Sequence, residues 1–316
     1  MAAKAHDLFT QDDLSVSGIG AGETIHLIGF ASGIGAPDPD CGRGPEVLRQ
    51  MDLEAVLEQH GLHSKWKSFL TTPVLNLEYR QRSDFLLLQL KSLAQEVAKS
   101  VFQRERFIVI GGDHSCAIGT WSGASHQLRS RGPIGLIWVD AHMDSHTPLT
   151  SHTGALHGMP LACLLGYGEQ RFTQLYLNKP KIHPQHLCLV GVRSYETEEA
   201  QLLKRLGVRV IDMKEIKQRG LNSAMQEALD IASKETVGFG VSLDLDSLDP
   251  FEAPGVSTPE MDGISGKELI TALKLIADKN NLIGLEIAEL NPSKDKNLVT
   301  ANLAIKAILA SLAVHK

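Results

Sequence analysis

Gly135-Leu136-Ile137-Trp138-Val139-Asp140-Ala141-His142-Met143-Asp144 changes character halfway along. Its first five residues are apolar or small and rich in strand formers, which reads as a β-strand buried on both faces. Its last five carry Asp140, His142 and Asp144 at alternate positions. In extended chain, side chains two apart project to the same side, so these three are expected to converge if the backbone stays extended. Three metal-competent groups at the end of a buried strand are costly unless positive charge sits among them. Phe239-Gly240-Val241-Ser242-Leu243 repeats the pattern and runs into Asp244-Leu245-Asp246. Phe107 to Ile110 repeats it again, leading into Gly111-Gly112-Asp113-His114-Ser115. Four carboxylates and two imidazoles therefore lie where strands end, a donor set suited to two metal ions.

Further candidate strands are Ile25–Phe30, Leu187–Val192, Val208–Ile211, Gly238–Leu243 and Leu282–Ile287, joining Phe107–Ile110 and Gly135–Val139. Helical spacing separates them. Leu86, Leu90, Leu93, Val97 and Val101 follow the potential cap Ser83 at three- and four-residue steps. Ser265-Gly266-Lys267-Glu268 has capping-box spacing ahead of Leu269, Leu273 and Ile276, and Ile305, Ile308, Leu309 and Leu312 form a last stripe. Alternating strands and helices predict an α/β fold with a mainly parallel sheet covered on both faces. Such sheets bind ligands beyond the carboxyl ends of their strands, where all the candidate ligands fall. Tyr167 to His186 reads as a long surface connection containing a short helix. The 316 residues are expected to form one domain, with an N-terminal extension over residues 1–24 that is partly mobile.

The composition excludes several classes. A formal charge of −6 offers no footprint for nucleic acid or an anionic membrane, and no apolar run reaches the length of a membrane span. No hydrophobic signal core precedes Thr24, so a cytoplasmic location is expected. Cys41, Cys116, Cys163 and Cys188 form no C-x-x-C pair and read as buried small apolar residues or free thiols. The pairs His60/His63 and His183/His186 have ligand-like spacing without matching carboxylates, and read as surface loops or helix ends. Gly18-Ile19-Gly20 and Gly33-Ile34-Gly35 do not complete a nucleotide-binding loop, and there is no G-x-S-x-G elbow.

The segments Gly111–Ser115, Asp140–Asp144 and Ser242-Leu243-Asp244-Leu245-Asp246-Ser247-Leu248-Asp249-Pro250 resemble the three metal motifs of the ureohydrolases: arginase, agmatinase and formimidoylglutamase. The resemblance extends from the N-terminal strand and Gly44-Pro45 through Glu289-Leu290-Asn291-Pro292, nearly the whole chain, and Thr147–Thr150 with Gly154–Pro160 makes it strongest to arginase. It implies a three-layer αβα fold and two Mn²⁺ ions. His114, Asp140, Asp144 and Asp244 would hold one ion, and Asp140, His142, Asp244 and Asp246 the other, with Asp140 and Asp244 bridging. The oxygen-rich set suits Mn²⁺, while ligand type alone leaves Co²⁺, Fe²⁺ and Zn²⁺ open. Resemblance further implies His157 as proton shuttle, Glu289 as anchor of the guanidinium, and Asp144 among the catalytic groups. The implied reaction cleaves a guanidino group to urea and an amine, with L-arginine as substrate and L-ornithine as product. Trimers or hexamers are the family's usual assemblies.

At the far end of the substrate this chain departs from arginases. His146, Thr153 and Ala155 stand where Asn, Ser and Asn are usual. After Gly191-Val192-Arg193 this chain reads Ser194-Tyr195-Glu196 and then Glu199 where arginases read Asp-Val-Asp and then Glu, keeping the acidic character on a longer arm. His146 and Thr153 are the expected carboxylate donors, and Glu196 and Glu199 the expected partners of the α-ammonium. Alternatives within the family are agmatinase, guanidinobutyrase and formimidoylglutamase activity. Outside its chemistry stand a zinc deacylase, whose tandem histidines this chain lacks, and a non-catalytic regulatory subunit, which all six metal ligands argue against.

Overall fold

A computed structural model describes residues 24–72, 79–277 and 279–312. The expected extension over 1–24 lies outside the described residues apart from residue 24. Eight strands form one sheet: β1 (Ile25–Ala31), β2 (Ser64–Thr71), β3 (Phe107–Gly111), β4 (Gly135–Val139), β5 (Leu187–Val192), β6 (Arg209–Asp212), β7 (Phe239–Asp244) and β8 (Leu282–Ala288). Their order is β2-β1-β3-β8-β7-β4-β5-β6, and every pairing is parallel.

Side-chain alternation splits the core in two. Ile108 and Ile110 of β3, with Ile137 and Val139 of β4, face one layer. Phe107 and Val109, with Leu136 and Trp138, face the other. The first face packs on helices Leu53–Gln59, Leu221–Ser233, Gly266–Ala277 and Val299–Leu312; the second packs on Tyr79–Phe102 and Cys116–Leu128. This is the three-layer αβα arrangement. Each fully buried Leu, Ile or Phe contributes about 1.5–3 kcal/mol, so both layers are needed to hold the central strands. Gly240 in β7 is required by close packing: a Cβ there would meet the Trp121 indole at 2.0 Å.

Three local expectations change. Ser83 is not a cap; the helix begins at Tyr79, and Ser83 is buried within it, accepting from Arg171 Nη2 at 3.0 Å. Tyr167–His186 is not simply surface. It contains the short helix Gln170–Thr173 and buries Phe172, Leu175, Lys181, Ile182 and His186. The edge strand β2 has no counterpart among the candidate strands. It exposes Lys65 and Lys67, a charged pattern that protects an unpaired edge and hides the apolar signal. Among the described residues no helix is long and apolar enough to cross a membrane.

Candidate active site

Strands β3, β8, β7 and β4 are consecutive in the sheet, so their C-terminal ends form one crowded row. His114 follows β3, Glu289 follows β8, Asp244 ends β7 and Asp140 follows β4. Groups up to 175 residues apart in sequence thereby touch: the His114 backbone N–H donates to Glu289 Oε1 at 2.8 Å.

The ligands converge by turning rather than by staying extended. β4 stops at Val139, and Asp144 adopts a left-handed φ of 45°. Asp246 lies in a 3-10 turn, Leu245–Ser247, that folds back on Asp244; Asp246 N donates to Asp244 Oδ1 at 2.8 Å. The residues expected to project together do come together, but by a different backbone path. A non-glycine residue held at positive φ is strained, and such strain concentrates at functional sites.

His114 Nδ1 sits 3.2 Å from Asp140 Oδ2, 3.1 Å from Asp144 Oδ2 and 3.0 Å from Asp244 Oδ2. It is buried, yet none of these oxygens gives it hydrogen-bond geometry. His142 Nδ1 lies 3.1 Å from Asp246 Oδ2 and 3.5 Å from Asp140 Oδ1. Two potential cation sites result, His114/Asp140/Asp244 and Asp140/His142/Asp246, with Asp140 common to both. Electrostatics point the same way. Burial and the neighbouring Asp246 and Asp140 push Asp244 well above the usual carboxylate range. Burial and Asp140 raise Asp144 to about 6. Carboxylates that raise one another in a dry site are relieved by cations, and an orphaned imidazole nitrogen among oxygens is a ligand in waiting. The donor set therefore fits divalent ions.

Residues outside the sequence expectations hold these ligands in place. Trp138 stacks on His114 with ring centroids 4.2 Å apart and donates from Nε1 to Asp140 Oδ2 at 2.8 Å. On the opposite side of the imidazole, Nε2 meets Ser242 Oγ at 2.8 Å, and Ser242 Oγ donates to the buried Glu286 at 2.7 Å. Trp138 pairs with Ser242 in β4–β7, and Ser242 with Glu286 in β7–β8, so one row across the sheet supplies all three. Arg193 ties the loops after β7 by donating to the carbonyls of Asp246, Leu248 and Glu260, among others.

His157 and Glu289 form a pair. His157 Nδ1 lies 2.9 Å from Glu289 Oε1, while Glu289 Oε2 is buried with no partner among the described residues. Burial opposes charging His157, but the Glu289 carboxylate outweighs it and raises the ring to about 9. The backbone N–H groups of Leu156 and His157 donate to the Gly35 carbonyl, and Gly35 N donates to the buried Asp113. Asp113 thus fixes the strap that carries His157.

The far-end residues divide. His146 Nε2 lies 2.9 Å from Glu196 Oε2 and 3.3 Å from Glu199 Oε2, and its Nδ1 meets Thr150 Oγ1 at 3.1 Å. Both ring nitrogens are engaged. Glu196 and Glu199 form a reciprocal capping box on helix Thr197–Leu206, and burial raises Glu199 to about 8. Thr153 stands apart from this group, exposed, accepting from Ala155 N at 3.2 Å. His60 and His63 lie in the turn after a helix, as expected. His186, by contrast, is buried.

The profile of the arginase family matches residues 23–313. The chain is 36% identical over 295 residues to the arginase of Brevibacillus brevis, covering 92% of this chain and 97% of that one. The crystal structure of arginase from Bacillus subtilis superposes with a TM-score of 0.84 at 34% identity, covering 93% and 99% of the two chains. Arginase from Bacillus caldovelox gives a TM-score of 0.86 at 31% identity, with the same coverage.

Proposed function

Because this chain belongs to the arginase family and is therefore an amidinohydrolase, we propose that it hydrolyses L-arginine to L-ornithine and urea with two Mn²⁺ ions per chain. The observation that carries this reading is the buried Glu289. One oxygen is committed to His157 and the His114 backbone, and the other has no partner among the described residues. A protonated, planar guanidinium supplies the charge and the N–H donors that such a carboxylate oxygen lacks.

His114, Asp140, Asp144 and Asp244 would hold one ion, and Asp140, His142, Asp244 and Asp246 the other. When bound, the ions supply a water of lowered pKa as nucleophile, which the weakly electrophilic guanidinium carbon demands. The chain's own groups do the rest. Glu289 anchors and orients the guanidinium. Its Oε1 also holds His157 through Nδ1, which leaves Nε2 of the same ring as the atom to hand a proton to the departing amine. Asp144, 3.1 Å from His114 Nδ1, completes the carboxylate floor of the site. Burial of Glu289 and Asp144 keeps bulk water from them, which strengthens their interactions.

His146, Thr153, Glu196 and Glu199 frame the amino-acid end of the substrate, with the two glutamates receiving the α-ammonium. Assembly as a trimer or hexamer and a single domain over 1–316 belong to the same proposal and are supported by the family likeness, and a cytoplasmic setting belongs to it as well; sedimentation equilibrium tests the first. The enzymatic test is product release from L-arginine, agmatine, 4-guanidinobutyrate and formimidoylglutamate under identical Mn²⁺ loading. L-arginine is expected to give the highest kcat/KM. Any of the others exceeding it overturns the substrate assignment.

A further inference from the structure

The carboxylate end of the proposed substrate finds no cation among the residues that frame it. Ala155 has no side-chain donor, Thr153 contributes one hydroxyl, and both nitrogens of His146 are already engaged. A carboxylate leaving water needs charged or multiple donors in exchange, or the transfer is unfavourable.

A recess of about 240 Å³ opens between residues 34–37 and the Thr153–Leu156 segment. Its walls are mostly apolar or backbone, and Arg82 is the one charged side chain among the described residues that line it. Arg82 has neither an ion pair nor a hydrogen bond among the described residues, and its Nε is buried without a partner. A partly buried guanidinium left in that condition is costly, and a carboxylate met fork to fork removes the cost. The recess also adjoins the chemistry. Gly35, in one wall, accepts from the backbone of Leu156 and His157, so the recess and the His157 strap share a backbone connection.

We propose that Arg82 is a specificity-determining residue of this enzyme, reading the carboxylate of a guanidino amino acid in the recess beside Thr153 and Ala155. The proposal rests on the arginase reading and deepens it. Arg82 supplies the charge that Thr153 and Ala155 do not, and Ala155, by lacking a longer side chain, leaves the way to it open.

The test uses the full Mn²⁺-loaded chain and two product-like probes, L-ornithine with a carboxylate and putrescine without one. Arg82→Gln is expected to weaken L-ornithine binding and raise KM for L-arginine by about 10- to 100-fold, the scale of one lost charge-assisted hydrogen bond. The kcat value and putrescine affinity are expected to hold. Arg82→Lys keeps the charge but loses the fork, and is expected to fall between Arg82→Gln and wild type. It also serves as the measurable variant if Arg82→Gln melts early. Unchanged L-ornithine affinity in both variants overturns the proposal, as does equal weakening of L-ornithine and putrescine, which marks a structural role. A wild type that releases no urea from L-arginine defeats the arginase reading before any variant is made. A defect confined to the Arg82 variants bears on this inference alone.

Discussion

Strand ends deliver the candidate metal ligands, whereas loops and a helix cap deliver the group proposed to face the amino-acid end, and the two regions differ in burial and in what holds them. Asp140 and His114 are fully buried, fixed just beyond the ends of their strands and backed by Trp138, Ser242 and Glu286. Glu196 has a side chain about half exposed (52%) and is held by a capping box and by His146. In the first region a charge is worth much because burial lowers the effective dielectric; in the second, screening reduces the contacts of the half-exposed Glu196, although Glu199 beside it is buried. The proposed chemistry is thus placed at the buried strand ends and the proposed substrate choice on loops and a helix start, a division that mutation can break.

The largest expected effect is at Asp140, which both cation sites share. Asp140→Asn keeps the shape, but removes the charge that joins the two sites. Metal content by elemental analysis is expected to fall below two ions per chain, and urea release to drop by several kcal/mol of transition-state stabilisation, about 10²–10⁴-fold. Full metal content with normal turnover would show that the buried region is not the metal centre.

His157→Ala separates proton transfer from metal binding. Its kcat is expected to fall by about 10²–10⁴-fold with metal content intact. Loss of an ion would make His157 a ligand and remove the distinction between the Glu289–His157 pair and the strand-end cluster.

Glu286→Gln probes the support beneath the ligands. Glu286 accepts from Ser242, whose hydroxyl meets His114 Nε2, so Nδ1 is the nitrogen left facing the carboxylates. Removing the charge while keeping the shape is expected to weaken Mn²⁺ binding by about 10- to 100-fold in a chelator competition. Wild-type affinity would mean that Trp138 stacking alone orients the ring.

These regions are unequally legible in the sequence. The strand-end ligands are readable because burying alternating Asp and His at the end of an apolar run is too costly without a cation among them. Even there, the left-handed turn at Asp144 is invisible, since short motifs do not encode the backbone path. Ser242 and Glu286 cannot be linked from sequence, because their contact depends on the β7–β8 register across 44 residues. A charged residue inside the apolar run Leu282–Ile287 is the available signal for Glu286. Strand β2 escapes because Lys65 and Lys67 interrupt its apolar character. His146 reads as a donor to the substrate carboxylate, yet its engagement with Glu196 and Glu199 depends on how a loop and a helix start meet.

The smallest effect is expected at Glu196, and it tests the exposed region directly. His146 holds the Glu196 carboxylate below its usual range, so the group is ionised and able to receive an α-ammonium at neutral pH. Its exposure limits the value of that contact to about 1 kcal/mol, a factor of roughly five in binding. Glu196→Gln retains an oxygen that can accept from the Glu199 backbone in the capping box, so helix Thr197–Leu206 is expected to stay formed. KM for L-arginine should therefore rise several-fold while kcat and Mn²⁺ content stay at wild-type values, because the altered contact is remote from the reacting carbon. Steady-state kinetics on L-arginine and agmatine, with metal analysis of the same samples, check all three quantities. A fall in kcat comparable to that of His157→Ala would couple the loop region to the chemistry and dissolve the division between the two ends.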